Sequence, residues 1–222
     1  MDDRSARPRP HDFEMEMQAV REQFATMAAR CMQQMRLALE AFWTGSKEKI
    51  AQVEAADNAI DDQEKAIDAL VLRILALRQP VASDLRMLTA LFKLVTDLER
   101  IGDEAVDIAR AAGSLLPDVG NMRERLRQMA DTTDKMLSAA VRSFLEGNAQ
   151  LAGEVIRSDD AIDAMHREML RDCVALLSAH PGETVPAMGA LSVAKCLERI
   201  ADHATNIAEG TLFMIHGDEM PR

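Results

Sequence analysis

Two stretches of the chain decide the fold: LERIGDEAVDIAR at Leu98–Arg110 and LERIADHATNIAE at Leu197–Glu209. They share eight of 13 residues at an offset of 99. A second match, DNAID at Asp57–Asp61 against DDAID at Asp159–Asp163, occurs at an offset of 102. Two separate matches at nearly one offset indicate an internal duplication, the signature of a repeated structural unit.

The sequence around these repeats favours helices throughout. Hydrophobic residues make up 48% of the 222 residues and aromatic residues 3%, with 10 Gly, 7 Pro and no Tyr. So few breakers and aromatics argue against a β-sandwich or barrel. The breakers leave six long helical stretches, at about residues 11–42, 47–77, 83–112, 121–147, 149–178 and 183–215. We predict an all-α fold of two tandem homologous three-helix bundles, residues 11–112 and 121–216, joined by a linker at residues 113–120.

Charge and cysteine content exclude several classes of protein. The chain has 26 basic and 37 acidic residues and a net charge of -11, which argues against a broad nucleic-acid interface and favours cations or basic partners. Cys31, Cys173 and Cys196 form no CxxC motif, so we expect buried reduced thiols. The N-terminal stretch has no apolar region typical of a signal peptide, and no 18-residue apolar run predicts a membrane span. We therefore expect any membrane role to come through a partner.

Acidic residues interrupt the apolar pattern of the second and fifth stretches. The 3–4 pattern of the second stretch, which predicts a seam facing neighbouring helices, is Ile50, Val53, Asp57, Ile60, Glu64, Ile67, Val71 and Ile74. Its two acids are Asp57 and Glu64. In the fifth stretch, Asp159 and His166 stand at the equivalent positions. The broad inner face of the third stretch likewise includes Glu99 and Asp103.

The acids form pairs four residues apart, and each pair therefore shares one helix face with Cβ atoms about 5–6 Å apart. The four pairs are Asp57 and Asp61, Glu99 and Asp103, Asp159 and Asp163, and Glu198 and Asp202. Two unit charges 4 Å apart repel by about 4 kcal/mol at an effective dielectric of 20. Water or cations must offset this repulsion. Hard cations such as Mg²⁺, Ca²⁺ or Mn²⁺, or iron bridged by carboxylates, prefer such oxygen ligands.

Two further residues extend the pattern. Asp107 and Asn206 follow the pairs of the third and sixth stretches by another four residues and are candidate ligands. The alternative is that the acids lie on solvated helix flanks, which is the common location of a single such pair. Four pairs placed identically in two repeats, partly within the apolar seam, favour metal binding over that alternative.

The sequence resembles the PhoU family of phosphate-transport accessory proteins. The resemblance is carried by ALRQPVASDLRML at Ala76–Leu88 and by the doubled Glu-Arg-Ile-x-Asp motif, and it covers essentially the whole chain. One departure is Gly102-Asp103-Glu104-Ala105-Val106-Asp107, where the family reads closer to Gly-Asp-His-Ala-x-Asn. The first group therefore has more acidic residues around it than is usual in the family.

The resemblance implies a function. Members of the PhoU family are cytoplasmic, commonly dimeric negative regulators of the phosphate regulon, and they are thought to couple the phosphate ABC transporter to a membrane sensor histidine kinase. Their E(D)xxxD motif pairs bind multinuclear clusters of iron, zinc or other divalent ions. Carried over here, one site is Asp57 and Asp61 with Glu99 and Asp103, and the other is Asp159 and Asp163 with Glu198 and Asp202.

Two other functions remain open from the sequence. A metal-free helical adaptor would dock its acidic faces on a basic patch of a kinase, a transporter or a phosphate permease. A di-iron carboxylate oxidase would need two Glu-x-x-His-like pairs, and the sequence offers only Asp163-x-x-His166. No residue set indicates catalysis, so we expect a protein that is not an enzyme.

Overall fold

The computed structural model describes residues 10–112 and 122–217, and within these ranges the chain is helical without a β-strand. The helices are α1 (Pro10–Thr44), α2 (Lys47–Arg78), α3 (Ala82–Arg110), α4 (Met122–Glu146), α5 (Ala149–Ala179) and α6 (Thr184–His216), with a 3₁₀ turn (Pro181–Glu183) before α6. The prediction of an all-α fold with six long helices is confirmed. The predicted linker at residues 113–120 lies outside the described ranges.

The same turn joins the first two helices of each half. Gly45 follows α1 with φ 66°, a left-handed conformation that favours glycine, and the Ser46 side chain then accepts a hydrogen bond from the Lys49 backbone N–H. In the second half, Gly147 has φ 63° and Asn148 caps α5 in the same way. The turns correspond at an offset of 102, which fixes the register between α1–α2 and α4–α5.

The apolar seams form the core, as the 3–4 pattern predicts. In α2, the buried residues are Val53, Ile60, Ile67, Val71 and Ile74. The acids that interrupt this series, Asp57 and Glu64, are half-buried, so they lie at the edge of the core. The three cysteines are buried and unbridged, as expected for reduced thiols.

Helices α3 and α6 join the two bundles and run antiparallel. The Arg86 guanidinium near the start of α3 donates to the Met214 backbone carbonyl near the end of α6. Further along α3, Glu104 accepts a hydrogen bond from Arg199, which lies earlier in α6. Helices α1 and α4 also touch, and Arg36 binds Asp134 through two hydrogen bonds of 2.9 and 3.0 Å. The two predicted acidic groups therefore lie on the helix pairs α2–α3 and α5–α6, each made of one helix of the junction and one helix beside it.

Among residues 10–112 and 122–217, no helix is both long enough and apolar enough to cross a bilayer.

Candidate metal sites

The structure places the predicted acids on two pairs of adjoining helices. The first acidic site is Asp57 and Asp61 on α2 with Glu99 and Asp103 on α3, and the second acidic site is Asp159 and Asp163 on α5 with Glu198 and Asp202 on α6. Each site is held by the packing of a seam helix against its neighbour.

Burial and mutual repulsion act on the acids of the first site. The pKa of Asp57 is raised by burial and by the charges of Asp61 and Asp103, while a hydrogen bond from Gln34 opposes the increase. The pKa of Glu99 is raised by burial first and then by Asp103, with smaller contributions from other acids. Each of these carboxylates therefore senses charge from the opposite helix, and the site is disfavoured when all its members are ionised.

The second site shows the same electrostatics. Burial raises the pKa of Asp159, and Asp163 and Glu198 raise it further, against the effect of the Thr205 hydroxyl. The pKa of Asp202 is raised by burial and then by Glu198 and Asp159. The increase at Asp159 matches that at its counterpart Asp57, whereas on the third helix of each repeat it falls on different members of the acid pair, Glu99 in the first site and Asp202 in the second.

Basic side chains offset part of this charge. In the first site, Arg100 Nε lies 3.3 Å from Glu99 Oε2, and Arg100 Nη1 lies 3.1 Å from Asp103 Oδ2. In the second site, Lys195 pairs with Glu198. These pairs are partly exposed, so each stabilises the fold only weakly.

The donor chemistry of both sites fits a hard cation. Every member is a carboxylate, and at the first site the neighbouring Gln34 Oε1 is buried without a hydrogen-bond partner. An orphaned oxygen beside repelling carboxylates is a group that a cation or its hydration water would satisfy. Within residues 10–112 and 122–217, no group of three or more His, Cys, Asp or Glu side chains is arranged to hold a metal ion. The fit is therefore one of donor chemistry, and no rigid cage is preformed.

The two additional candidates occupy different surroundings. Asp107 is exposed and lies 3.7 Å from Arg110. The Asn206 amide donates to Asp97 Oδ1 of α3 at 2.9 Å, so its side chain contributes to the interface between the bundles. His203 contacts the same Asp97 oxygen at 2.8 Å.

Gln34 is the residue of the first site that sequence reasoning missed. It lies on α1, and its amide donates to Asp57 Oδ1 at 3.1 Å across 23 positions of sequence. The signal was a polar residue on an apolar helix face, next to Met35 and three residues after Cys31, both of which are fully buried. Only contact with the acid on another helix gives this residue a role.

The fold and the two acidic sites define a class: duplicated three-helix-bundle proteins that carry a group of four acidic residues in each repeat. The family model for the PhoU domain matches residues 24–112 and again residues 126–211. The chain belongs to the PhoU family.

Relatives and solved structures agree with this assignment. A protein of Pseudomonas aeruginosa named phosphate-specific transport system accessory protein PhoU homolog is 33% identical over 210 residues, which cover 94% of this chain and 87% of that protein. The crystal structure of PhoU from Pseudomonas aeruginosa matches with a TM-score of 0.86 at 33% identity, covering 92% of this chain and 99% of the other. The phosphate transport system regulatory protein PhoU from Streptococcus pneumoniae matches with a TM-score of 0.85 at 27% identity, covering 95% and 99% of the respective chains.

Proposed function

We propose that this protein is a cytoplasmic regulator of phosphate uptake that represses the phosphate regulon when phosphate is sufficient. It does so by linking a phosphate ABC transporter to a sensor histidine kinase. The proposal is supported by the repeated PhoU domain and by relatives that are named as accessory proteins of the phosphate-specific transport system. The net charge of -11 favours basic partner surfaces, and we expect the working form to be a homodimer.

Deletion in the host tests the regulatory role. Alkaline phosphatase is measured in cells grown at high phosphate, with and without this gene. Constitutive phosphatase activity, reversed by the intact gene, is the expected result. Normal repression in the deletion strain would contradict the proposal.

We further propose that the two acidic sites hold divalent or trivalent metal ions, with iron, zinc, magnesium, manganese and calcium as candidates. The observation that carries this proposal is the group of four carboxylates repeated in both halves, with burial and neighbouring acids raising the pKa of Asp57, Glu99, Asp159 and Asp202. Such ions, when bound, would neutralise the acids and alter the charge that the surfaces of the two sites present to a partner. An ion that binds only the folded chain also stabilises it by mass action.

Elemental analysis and melting temperature test the metal sites. We expect stoichiometric metal in the purified protein and a lower melting temperature after treatment with EDTA. The double variant Glu99→Ala with Asp103→Ala should lose the part of this response that belongs to the first site. A metal-free protein whose melting temperature ignores EDTA and added ions would contradict the proposal.

A metal-free adaptor is a second candidate, and the ion pairs favour it. Arg100 and Lys195 already compensate part of the charge of the two sites, at Glu99, Asp103 and Glu198. For this function, capture of a kinase or permease domain should weaken with salt and survive EDTA. For the metal-dependent function, EDTA should abolish the capture.

An oxidase would require a second histidine-containing pair. His166 lines a cavity of about 460 Å³ together with Cys196 and Arg199, at the junction of α3, α5 and α6. We expect no oxygen consumption when Fe(II) is added, measured with an oxygen electrode against a buffer control.

A further inference from the structure

Gln34 gives the first acidic site a feature that the second acidic site lacks. Its side chain is only 2% exposed, and its amide nitrogen donates to the Val53 carbonyl at 3.2 Å and to Asp57 Oδ1 at 3.1 Å. An amide that binds a carboxylate from the core side fixes the orientation of that carboxylate. Asp57 is therefore anchored before any cation arrives.

The other end of the Gln34 amide is unpaired. Its Oε1 atom is buried without a hydrogen-bond partner, which costs free energy unless a partner arrives. A Cβ atom placed on Gly102 would lie 3.3 Å from this Oε1 and 3.3 Å from Asp57 Oδ1. Both oxygens therefore lie close to the α3 backbone at Gly102, beside Ile60 Cδ1, and a larger residue there would press against both of them.

The second repeat has different residues at both positions. The offset of 102 aligns Gln34 with Met136, which is also buried. The offset of 99 aligns Gly102 with Ala201, which is fully buried and carries the Cβ that Gly102 lacks. The second site therefore has the apolar Met136 where the first has the Gln34 amide, and it has the methyl group of Ala201 where the first has Gly102.

Asp159 obtains its polar neighbour from a different helix. The Thr205 hydroxyl of α6 lowers the pKa of Asp159, but its buried Oγ1 atom makes no hydrogen bond of ordinary geometry, whereas Val106 occupies the corresponding position of α3. The half-buried Asp57 and Asp159 thus have different polar neighbours: Asp57 accepts a hydrogen bond from an amide on the first helix, and Asp159 lies beside a hydroxyl on the third helix. The two sites are alike in their acids and unlike in the residues that support them.

We propose that Gln34 is a positioning residue that makes the first acidic site bind a hard divalent cation more tightly than the second. This inference rests on the proposed metal function. The amide holds Asp57 in place, and the orphaned Oε1 offers a further acceptor to the ion or its hydration water. Replacing a residue that supports a metal ligand typically weakens affinity by about 10- to 100-fold.

Mn²⁺ binding to single-site proteins tests the proposal. Glu198→Gln with Asp202→Asn leaves only the first site, and Glu99→Gln with Asp103→Asn leaves only the second. Free Mn²⁺ is measured by electron paramagnetic resonance, and circular dichroism monitors folding. We expect the first-site protein to bind more tightly, and we expect Gln34→Met to weaken it by about 10-fold or more while leaving the second-site protein unchanged.

The comparison between the two backgrounds separates positioning from a general effect on folding. If Gln34→Met fails to fold, Gly102→Ala decides the test, because its Cβ would displace the same two oxygens and should also weaken only the first site. Equal weakening of both sites, or no weakening of the first, overturns the role of Gln34 while leaving the metal function intact. Absence of Mn²⁺ binding in both proteins overturns the inference, and if elemental analysis also finds no metal in the purified protein, the proposed metal function fails with it.

Discussion

The Nδ1 atom of His203 lies 2.8 Å from Oδ1 of Asp97, and this contact joins the two bundles across α3 and α6. Asn206 donates to the same oxygen at 2.9 Å. At the offset of 99, His203 corresponds to Glu104 and Asp97 to Cys196, and Glu104 acts on Cys196 to raise the pKa of that thiol. Burial is the larger cause of that increase. The interface therefore has approximate two-fold symmetry, with different chemistry at its two ends.

Removal of Asp97 should loosen this interface. Asp97→Ala leaves two partly buried donors, on His203 and Asn206, without their acceptor, and such a loss costs about 1–3 kcal/mol. We expect a lower free energy of unfolding in urea. The control is Asp62→Ala, because Asp62 is exposed and its ion pair with the exposed Lys65 is long, at 3.8 Å. A loss no larger than that of the control would show that the contact does not hold the bundles together.

Replacing Glu99 by a neutral residue should stabilise the metal-free protein, in EDTA, at neutral pH. Burial and then Asp103 raise the pKa of Glu99 above its ordinary 4.5, so the folded chain holds more protons than the unfolded chain between these two values. Stability from this group therefore falls as pH rises through that window. Glu99→Gln should raise the melting temperature at pH 7 in EDTA, and the gain should shrink as pH falls toward 4.5. Scanning calorimetry at several pH values measures it.

The control for this prediction is Glu14→Gln, since Glu14 is exposed on α1 and away from both acidic sites. It should change the melting temperature little at any of these pH values. A Glu99→Gln protein that melts below the parent at pH 7 would show that the Arg100 pair outweighs the repulsion.

The pair formed by Glu16 and Arg78 should give the opposite pH dependence. Arg78 Nε and Nη2 donate to the two Glu16 oxygens at 2.7 and 3.0 Å, and this hydrogen bonding lowers the pKa of Glu16 below its ordinary 4.5. Its stabilisation is complete above about pH 4.5 and is lost as pH falls through the lowered value. Glu16→Gln should lower the melting temperature at pH 7, with the difference vanishing in acid. A difference that persists in acid would assign the effect to packing.

Two glycines should respond differently to alanine. At Gly210, an added Cβ would lie 2.9 Å from Cδ2 of the buried Leu94, where α6 crosses α3. At Gly153, the nearest atom would be the flexible Arg157 Nη1, 3.3 Å away. Gly153→Ala should therefore gain about 0.5–1 kcal/mol from helix propensity. Gly210→Ala should lose this gain or destabilise the protein, as measured by urea unfolding. Equal gains at both positions would show that the crossing of α3 and α6 accommodates the added methyl group without strain.

The sequence determined the helices and their duplication because these depend on local signals. The turn at Gly45 and Ser46 and its copy at Gly147 and Asn148 set where helices end and begin, since left-handed glycines and side-chain caps act within a few residues. The apolar seams and the acid pairs four residues apart follow from helical periodicity. These features gave the all-α class, the two repeats and the eight acids, and the predicted helix ends lie within two residues of those in the structure.

Tertiary structure alone decided which side chains contact the acidic residues. Gln34 reaches Asp57 from another helix, and His203 and Asn206 turn toward Asp97 across more than 100 residues of sequence. Periodicity states which face of a helix is apolar, but it does not state which helix packs on that face or at what depth. Contacts between distant helices depend on how whole surfaces interlock, and this packing made two groups of similar acids into sites with different supporting residues.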